Sequence, residues 1–331
     1  MKARIALLYG GASEEHDVSV LGCEYMKELL RDTEYEILPV YINRNGEWTL
    51  CIKGSDTPAY PTRKNGGSLY TGYGFIKIDA AIPLLHGDGG EDGTITGALD
   101  VAGIPYVGAG VCASAVCLDK VYTKAVARSI GLSVLADVSF SGRTDADEAL
   151  GISRKSLDFP LFIKPRRLGS SVGAYPARDE YEFKKFFPLA SEIGGGLVMV
   201  EEMLSQKREI ECAFVEYEGE RIVTPPGEIL IDGFYGYGEK YGGKTKTAPR
   251  AAVTKEISDE AQRLAQKLAD AIDLRHLARI DFFLTDKGLY FNEINTFPGF
   301  TSESLYPAML REYGIDPRDA ILSFVKDALG C

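Results

Sequence analysis

Several common signatures are missing from this chain. It has no GxGxxG opening its first helix, so no dinucleotide fingerprint is present. Long uncharged apolar runs are also absent. The opening Ile5–Tyr9 segment gives way at once to Gly10-Gly11, which reads as a strand entering a loop and not as a signal peptide or membrane span. There are three histidines (His16, His86 and His276) and six cysteines without a CxxC pair, so a zinc cluster or a disulfide framework is not expected. Free thiols in a reducing compartment, the cytoplasm, fit that usage. Basic residues are in deficit: 37 Lys and Arg against 48 Asp and Glu leave a net charge of −11. With no basic, aromatic-interleaved block to offset it, nucleic acid and anionic membranes are disfavoured as partners.

What is present is enough for two or three packed lobes: 331 residues, 45% of them hydrophobic. Arg4–Tyr9, Glu36–Ile42, Ala80–Leu85 and Pro105–Val107 have strand character, with helical spacing over Val18–Leu30 and Ile95–Ala102. That alternation predicts an α/β lobe with a doubly wound parallel sheet, whose ligands bind beyond the carboxyl ends of the strands. The polar loops Gly10–Ser19 and His86–Gly93 lie at those ends. Beyond them the pattern predicts a helix over Ser114–Ile130, strands over Phe159–Pro165, Leu197–Met203 and Glu209–Glu216, and a helix over Ser258–Ile272. A hairpin is expected from Ala278–Leu284 and Gly288–Asn292, and the Gly- and Tyr-rich stretch at about 232–250 has the length of a lid.

Three constellations carry chemistry. Period-two alternation puts Arg279 with Asp281, and Glu293 with Asn295, on common faces of neighbouring strands. Asp281, Glu293 and Asn295 are hard oxygen donors of the kind Mg²⁺ takes alongside substrate phosphates, although the spacing alone equally fits an exposed polar hairpin. Lys164 ends an apolar strand before the loop Arg166–Gly173, a cation followed by backbone N–H groups that suit phosphate. Taken alone, such a Gly/Ser loop is usually a plain turn. Val200–Leu204 followed by Glu209 offers a strand exit for adenine and a carboxylate for ribose, or simply an acidic strand end.

In order along the chain, four motifs resemble the D-alanine–D-alanine ligase family of the ATP-grasp superfamily: Gly10–Ser19, Leu85–Thr94, Arg167–Gly173 and Glu293–Leu305. The resemblance implies a three-lobed α/β fold (α+β in the C-terminal lobes), with an N-terminal substrate lobe over 1–107, a central lobe over 108–200 and a C-terminal lobe over 201–331. It implies ATP and two Mg²⁺ ions, with Mn²⁺ as a substitute, and a homodimer whose partners are small molecules. Residue by residue, Lys120 and Lys164 match phosphate contacts, Lys240 the lid lysine, Glu201, Glu202 and Leu204 the adenine segment, and Glu209 the ribose carboxylate. Asp281, Glu293 and Asn295 match the metal ligands. Glu15, Ser170 and Tyr241 match a hydrogen-bond network beside the substrates, Arg279 and the Gly299 N–H match oxyanion donors, and His86, Ser304 and Leu305 match substrate contacts.

The family's chemistry activates one D-alanine as an acyl phosphate, which the amine of the second then attacks, without a covalent enzyme intermediate. Tyr241 stands where ligases making D-alanyl-D-lactate carry a histidine, which argues against that product. Leu305 suits a methyl group and gives a serine hydroxyl no partner, so D-alanine is favoured over D-serine as second substrate. Glu303, Arg250 and the glycine-rich lid depart from the family pattern. A non-catalytic nucleotide-binding derivative of the fold is the reading from another class, but it predicts the loss of a metal ligand or phosphate lysine, and none is lost.

Overall fold

The computed structural model describes residues 2–52, 54–230 and 246–331. Among these residues the strands form three sheets. The first contains Arg4–Gly10 (β1), Glu36–Ile42 (β2), Trp48–Ile52 (β3), Ser55–Thr62 (β4), Ser68–Thr71 (β5), Gly74–Lys77 (β6) and Ala80–Pro83 (β7), ordered β6-β5-β4-β3-β2-β1-β7. Its centre, β2-β1-β7, is parallel, as the strand–helix alternation requires. From β2 outward, β3 to β6 add an antiparallel meander that the sequence reading left unassigned.

β1 is apolar from Ile5 to Leu8 because both of its faces are covered there. Ile5 and Leu7 share a core with His16–Leu29 (α1), whereas Ala6 and Leu8 share another with Thr94–Ala102 (α2). Pro105–Val107 contributes one parallel bridge, from Tyr106 to Ala81, and is not a full strand.

The helix expected over Ser114–Ile130 is two helices, Val111–Leu118 (α3) and Lys120–Ser129 (α4). They break at Asp119, whose backbone is extended (φ −86°, ψ 104°) and whose carboxylate caps α4 by accepting from the Val121 N–H at 3.1 Å. The second sheet combines Asp137–Phe140 (β8), Leu161–Pro165 (β9), Tyr175–Ala177 (β10) and Val198–Glu202 (β11) in the order β10-β9-β11-β8. Ala146–Ser153 (α5) and Glu180–Ile193 (α6) back it. On α6, Phe183 and Phe187 are one turn apart and stack with centroids 5.6 Å apart, both fully buried. Each such burial contributes roughly 1.5–3 kcal/mol.

The third sheet contains Arg208–Tyr217 (β12), Glu220–Val223 (β13), Gly227–Leu230 (β14), Lys246–Ala248 (β15), Leu277–Thr285 (β16) and Gly288–Asn295 (β17). One face packs on Lys255–Ile272 (α7) together with α3 and α4. The other supplies Ala213, Val215 and Leu277 to the core that holds Ile5 and Leu7, which Leu305–Tyr313 (α8) and Pro317–Leu329 (α9) close. The first and third sheets therefore share one apolar core, which fixes the cleft between them. Among the described residues no helix is long and apolar enough to cross a membrane.

Candidate active site

In the β16–β17 hairpin Arg279 stands opposite Asn295, and Asp281 opposite Glu293. Directly opposed residues of an antiparallel pair share a face, so these four polar side chains lie together while Ile280 and Ile294 turn into the core. Arg279 donates through Nε and Nη2 to the two carboxylate oxygens of Asp281 at 2.9 and 2.8 Å, and its Nε lies 3.0 Å from Glu211 Oε2. Burial works against the guanidinium's charge, but Asp281 and Glu211 outweigh it and hold its pKa well above the usual arginine value. Asn295 Nδ2 donates to Asp281 Oδ2 at 3.1 Å.

Lys164, near the end of β9, lies 2.5 Å from Glu201 Oε1, while Glu201 Oε2 accepts from Lys124 of α4 at 2.9 Å. Lys124 also pairs with Asp137 at 2.9 Å, and Asp137 with Arg128. Burial alone would raise the Glu201 carboxyl; the two ammonium groups prevail and hold it down at about 2. Lys120 donates to the Leu168 carbonyl at 2.8 Å and lies 3.4 Å from Glu293 Oε2. Between these lysines the loop after β9 curls tightly, with Ser170 and Ser171 both left-handed (φ 53° and 59°). For residues with a Cβ that conformation costs on the order of 1–3 kcal/mol each and concentrates at ligand sites.

These groups wall a cavity of about 550 Å³, whose lining includes Lys120, Lys164, the Glu201–Leu204 segment, Glu209 and Glu293. Glu209 is ion-paired to Lys207 at 2.8 Å, and Lys207 lies over the Phe283 ring at 3.9 Å.

A second cavity, of about 180 Å³, adjoins the first and shares Lys120, Gly169, Ser170 and Glu293 with it. Glu15, His86, Arg279, Asn295 and Gly299 also line it. The two N-terminal loops thus meet the C-terminal hairpin around one space. Gly10 lets the first of these loops leave β1 close against β2: at φ +99°, a Cβ there would come 2.2 Å from the Ile42 carbonyl. Ser170 Oγ donates to Glu15 Oε1 at 2.5 Å, a charge-assisted bond across 155 residues of sequence.

Two substrate candidates stand elsewhere. Ser304 Oγ bonds to Thr301 at the start of α8, and Leu305, 8% exposed, sits in the core shared by the first and third sheets; neither lines either cavity among the described residues. Asp281 lines neither cavity itself and reaches the site through Arg279 and Asn295. Lys240 and Tyr241, with most of the expected lid, fall outside the described residues. His16 shapes the glycine loop instead, its Nδ1 2.5 Å from the Gly11 carbonyl and its Nε2 3.2 Å from the Tyr41 hydroxyl.

Three participants escaped the sequence reading. Glu91 lines the smaller cavity, Lys124 anchors Glu201, and Asp119 binds Arg166 and Arg167. Their types were visible, but their partners lie 47 to 206 residues away.

Family models described as D-ala D-ala ligase N-terminus and C-terminus match residues 4–109 and 127–326. The chain belongs to the D-alanine–D-alanine ligase family. Its relatives within that family include a D-alanine--D-alanine ligase of Solibacter usitatus, 38% identical, and one of Thermoanaerobacter sp., 37% identical, each aligned over 95% of this chain and 92% of the relative. Among solved structures, the D-alanyl-alanine synthetase A of Vibrio cholerae superposes with a TM-score of 0.90 at 31% identity, over 100% of this chain and 99% of that one. The VanG D-Ala:D-Ser ligase of Enterococcus faecalis gives 0.89 at 32% identity, over 99% and 100%. The four motifs noted in the sequence fall within the two matched stretches.

Proposed function

We propose that this chain is an ATP-dependent, ADP-forming ligase that joins two D-alanines for peptidoglycan precursor synthesis, with ATP in the larger cavity and the amino acids in the smaller. The junction of the two cavities at Lys120, Gly169, Ser170 and Glu293 carries the proposal. A reaction that passes a phosphoryl group to a carboxylate needs its two substrates to meet at one cationic, phosphate-binding point.

Lys120 and Lys164 neutralise phosphate charge, Glu201 to Leu204 and Glu209 take the adenosine, and Lys240 completes the lid. Glu15, held by Ser170, takes the ammonium of the first D-alanine, with Tyr241 assigned to the same network on its motif, while His86 flanks the substrates. Arg279 and the Gly299 N–H face the oxyanion formed when the second amine attacks the acyl phosphate. Asp281, Glu293 and Asn295 form an oxygen-only donor set that fits Mg²⁺. We assign them two ions, with Mn²⁺ an acceptable substitute; bound there, the metal supplies charge neutralisation for the phosphates. The same proposal takes 1–107, 108–200 and 201–331 as three lobes of a cytoplasmic homodimer.

The similarity to a D-Ala:D-Ser ligase makes D-serine the second reading for the attacking substrate. Phosphate release from ATP with D-alanine, D-serine and D-lactate, singly and mixed, with products identified by mass, separates the two. D-alanyl-D-alanine as the dominant product supports the proposal. Phosphate release that ignores D-amino acids contradicts it.

A further inference from the structure

The N-terminal loop and the segment after β17 are 206 residues apart in sequence, yet a single carboxylate joins them. Glu91 Oε1 accepts the Phe297 N–H at 3.1 Å, and its Oε2 accepts the Gly87 N–H at 3.0 Å. On the same loop, His86 Nδ1 lies 3.1 Å from the Phe297 carbonyl. A carbonyl only accepts, so Nδ1 carries the proton and donates, which fixes the ring's tautomer. Both backbone groups of Phe297 are thus held by side chains from the first lobe.

We propose that Glu91 is a positioning residue for ligation: with His86 it grips Phe297 from both sides and so sets Gly299, two residues further on, against Glu15 across the smaller cavity. Glu15, His86, Glu91, Phe297 and Gly299 all line that cavity, so a shift of Phe297 moves the wall that meets the reacting carbonyl. The side chain must be a carboxylate. Only two acceptor atoms with no donor can take two N–H groups, whereas a glutamine would turn an NH₂ towards one of them. Burial makes that charge costly and raises the Glu91 carboxyl above its ordinary range, and neighbouring Glu15 adds to the cost although His86 offsets part of it. The Gly87 and Phe297 N–H groups act against that cost by stabilising the carboxylate form.

This inference rests on the ligase activity proposed above, and the test separates the two. In the full-length chain, Glu91→Gln should lower kcat for D-alanyl-D-alanine by roughly tenfold to a hundredfold, the scale of a small misplacement of reacting groups. The ATP KM should stay within about twofold, because the lysines and Glu201 are untouched. Glu91→Asp keeps both oxygens but loses reach, and should fall between. A kcat within about twofold of the unaltered chain, or an ATP KM rising in step with the loss of kcat, overturns the proposal. Should the glutamine variant fail to fold, or the unaltered chain make no dipeptide, hydrogen exchange on the unaltered chain decides. A protected Phe297 amide supports the grip, and rapid exchange there refutes it whatever the reaction proves to be.

Discussion

Glu201 is held between two ammonium groups, Lys124 at 2.9 Å and Lys164 at 2.5 Å, with almost no access to water. Its carboxyl is therefore ionised down to about 2, against an ordinary 4.5. The sign of the linkage follows. The unfolded chain takes up that proton first as the pH drops, so the stability this group supplies is complete above about 4.5 and drains away between there and about 2. Glu201→Gln leaves both buried lysines short of a counter-charge, and Lys164 no longer has its fixed direction. The ATP KM is expected to rise roughly tenfold or more, the equivalent of one charge-assisted contact. Urea unfolding should show the stability gap between the two proteins wide at pH 7 and narrowing below pH 4.5; a gap that ignores pH contradicts the assignment. At this scale many of the residues that line the two cavities were legible in the sequence, because Lys164, Glu15, Arg279 and Glu293 sit in motifs whose residue types have few other uses together. Leu305, read there as a selectivity contact, is placed by the structure in the core that also holds Ile5 and Leu7 of β1. An arginine placed there would be a buried charge before it was a specificity switch.

At the scale of elements, the break at Asp119 turns a run of helix into a site. Asp119 caps α4, and its carboxylate also takes Arg166 through Nε and Nη2 at 2.8 to 3.1 Å and Arg167 at 3.0 Å. The Lys120 N–H meanwhile bonds to the Arg166 carbonyl at 3.0 Å. One buried side chain thus registers the start of α4, which bears Lys120 and Lys124, against the loop that bears Ser170. Asp119→Ala should cost about 3–5 kcal/mol, since the buried Arg166 loses its counter-ion, and should raise the ATP KM while the D-alanine KM moves less. Equal changes in both, measured by initial rates, would mean general loosening instead. None of this was visible from Ser114 to Ile130, where the apolar spacing continues unbroken and the partners lie 47 and 48 residues on. The β3–β6 meander was equally hidden, because Gly54, Pro58, Pro61 and Gly74 read as loop residues, and the meander's pairing is set by neighbouring strands more than by its own pattern. The paired hairpin β16–β17 was legible because alternation on two adjacent runs leaves one workable register.

Across the whole molecule, the site works only if the first sheet and the third hold their relation, and their shared core is pinned at its edge by His276. Its Nδ1 accepts the Gly108 N–H at 2.8 Å, its Nε2 lies 2.8 Å from Asp327 of α9, and its own N–H bonds Glu216 of β12 at 2.7 Å. The segment at Gly108 and the last helix therefore meet on its imidazole and the third sheet on its backbone N–H, all at one residue that is 1% exposed. Since Nδ1 must accept from Gly108, the neutral Nε2–H tautomer is the one that fits, and protonation removes that acceptor. Burial depresses the His276 pKa although Asp327 pulls it back up. On unfolding the ring regains its ordinary affinity, near 6.5, so the unfolded chain protonates first and the stabilisation, complete above about 6.5, is lost as the pH falls below it. His276→Ala strands the buried Gly108 N–H and is expected to cost about 1–3 kcal/mol at pH 8. Because the unaltered chain surrenders the same contribution in acid, the difference between the two should shrink towards pH 5. Chemical denaturation at pH 8, 6.5 and 5 measures it; a constant difference would assign the loss to packing alone and leave the first and third sheets pinned by apolar contacts.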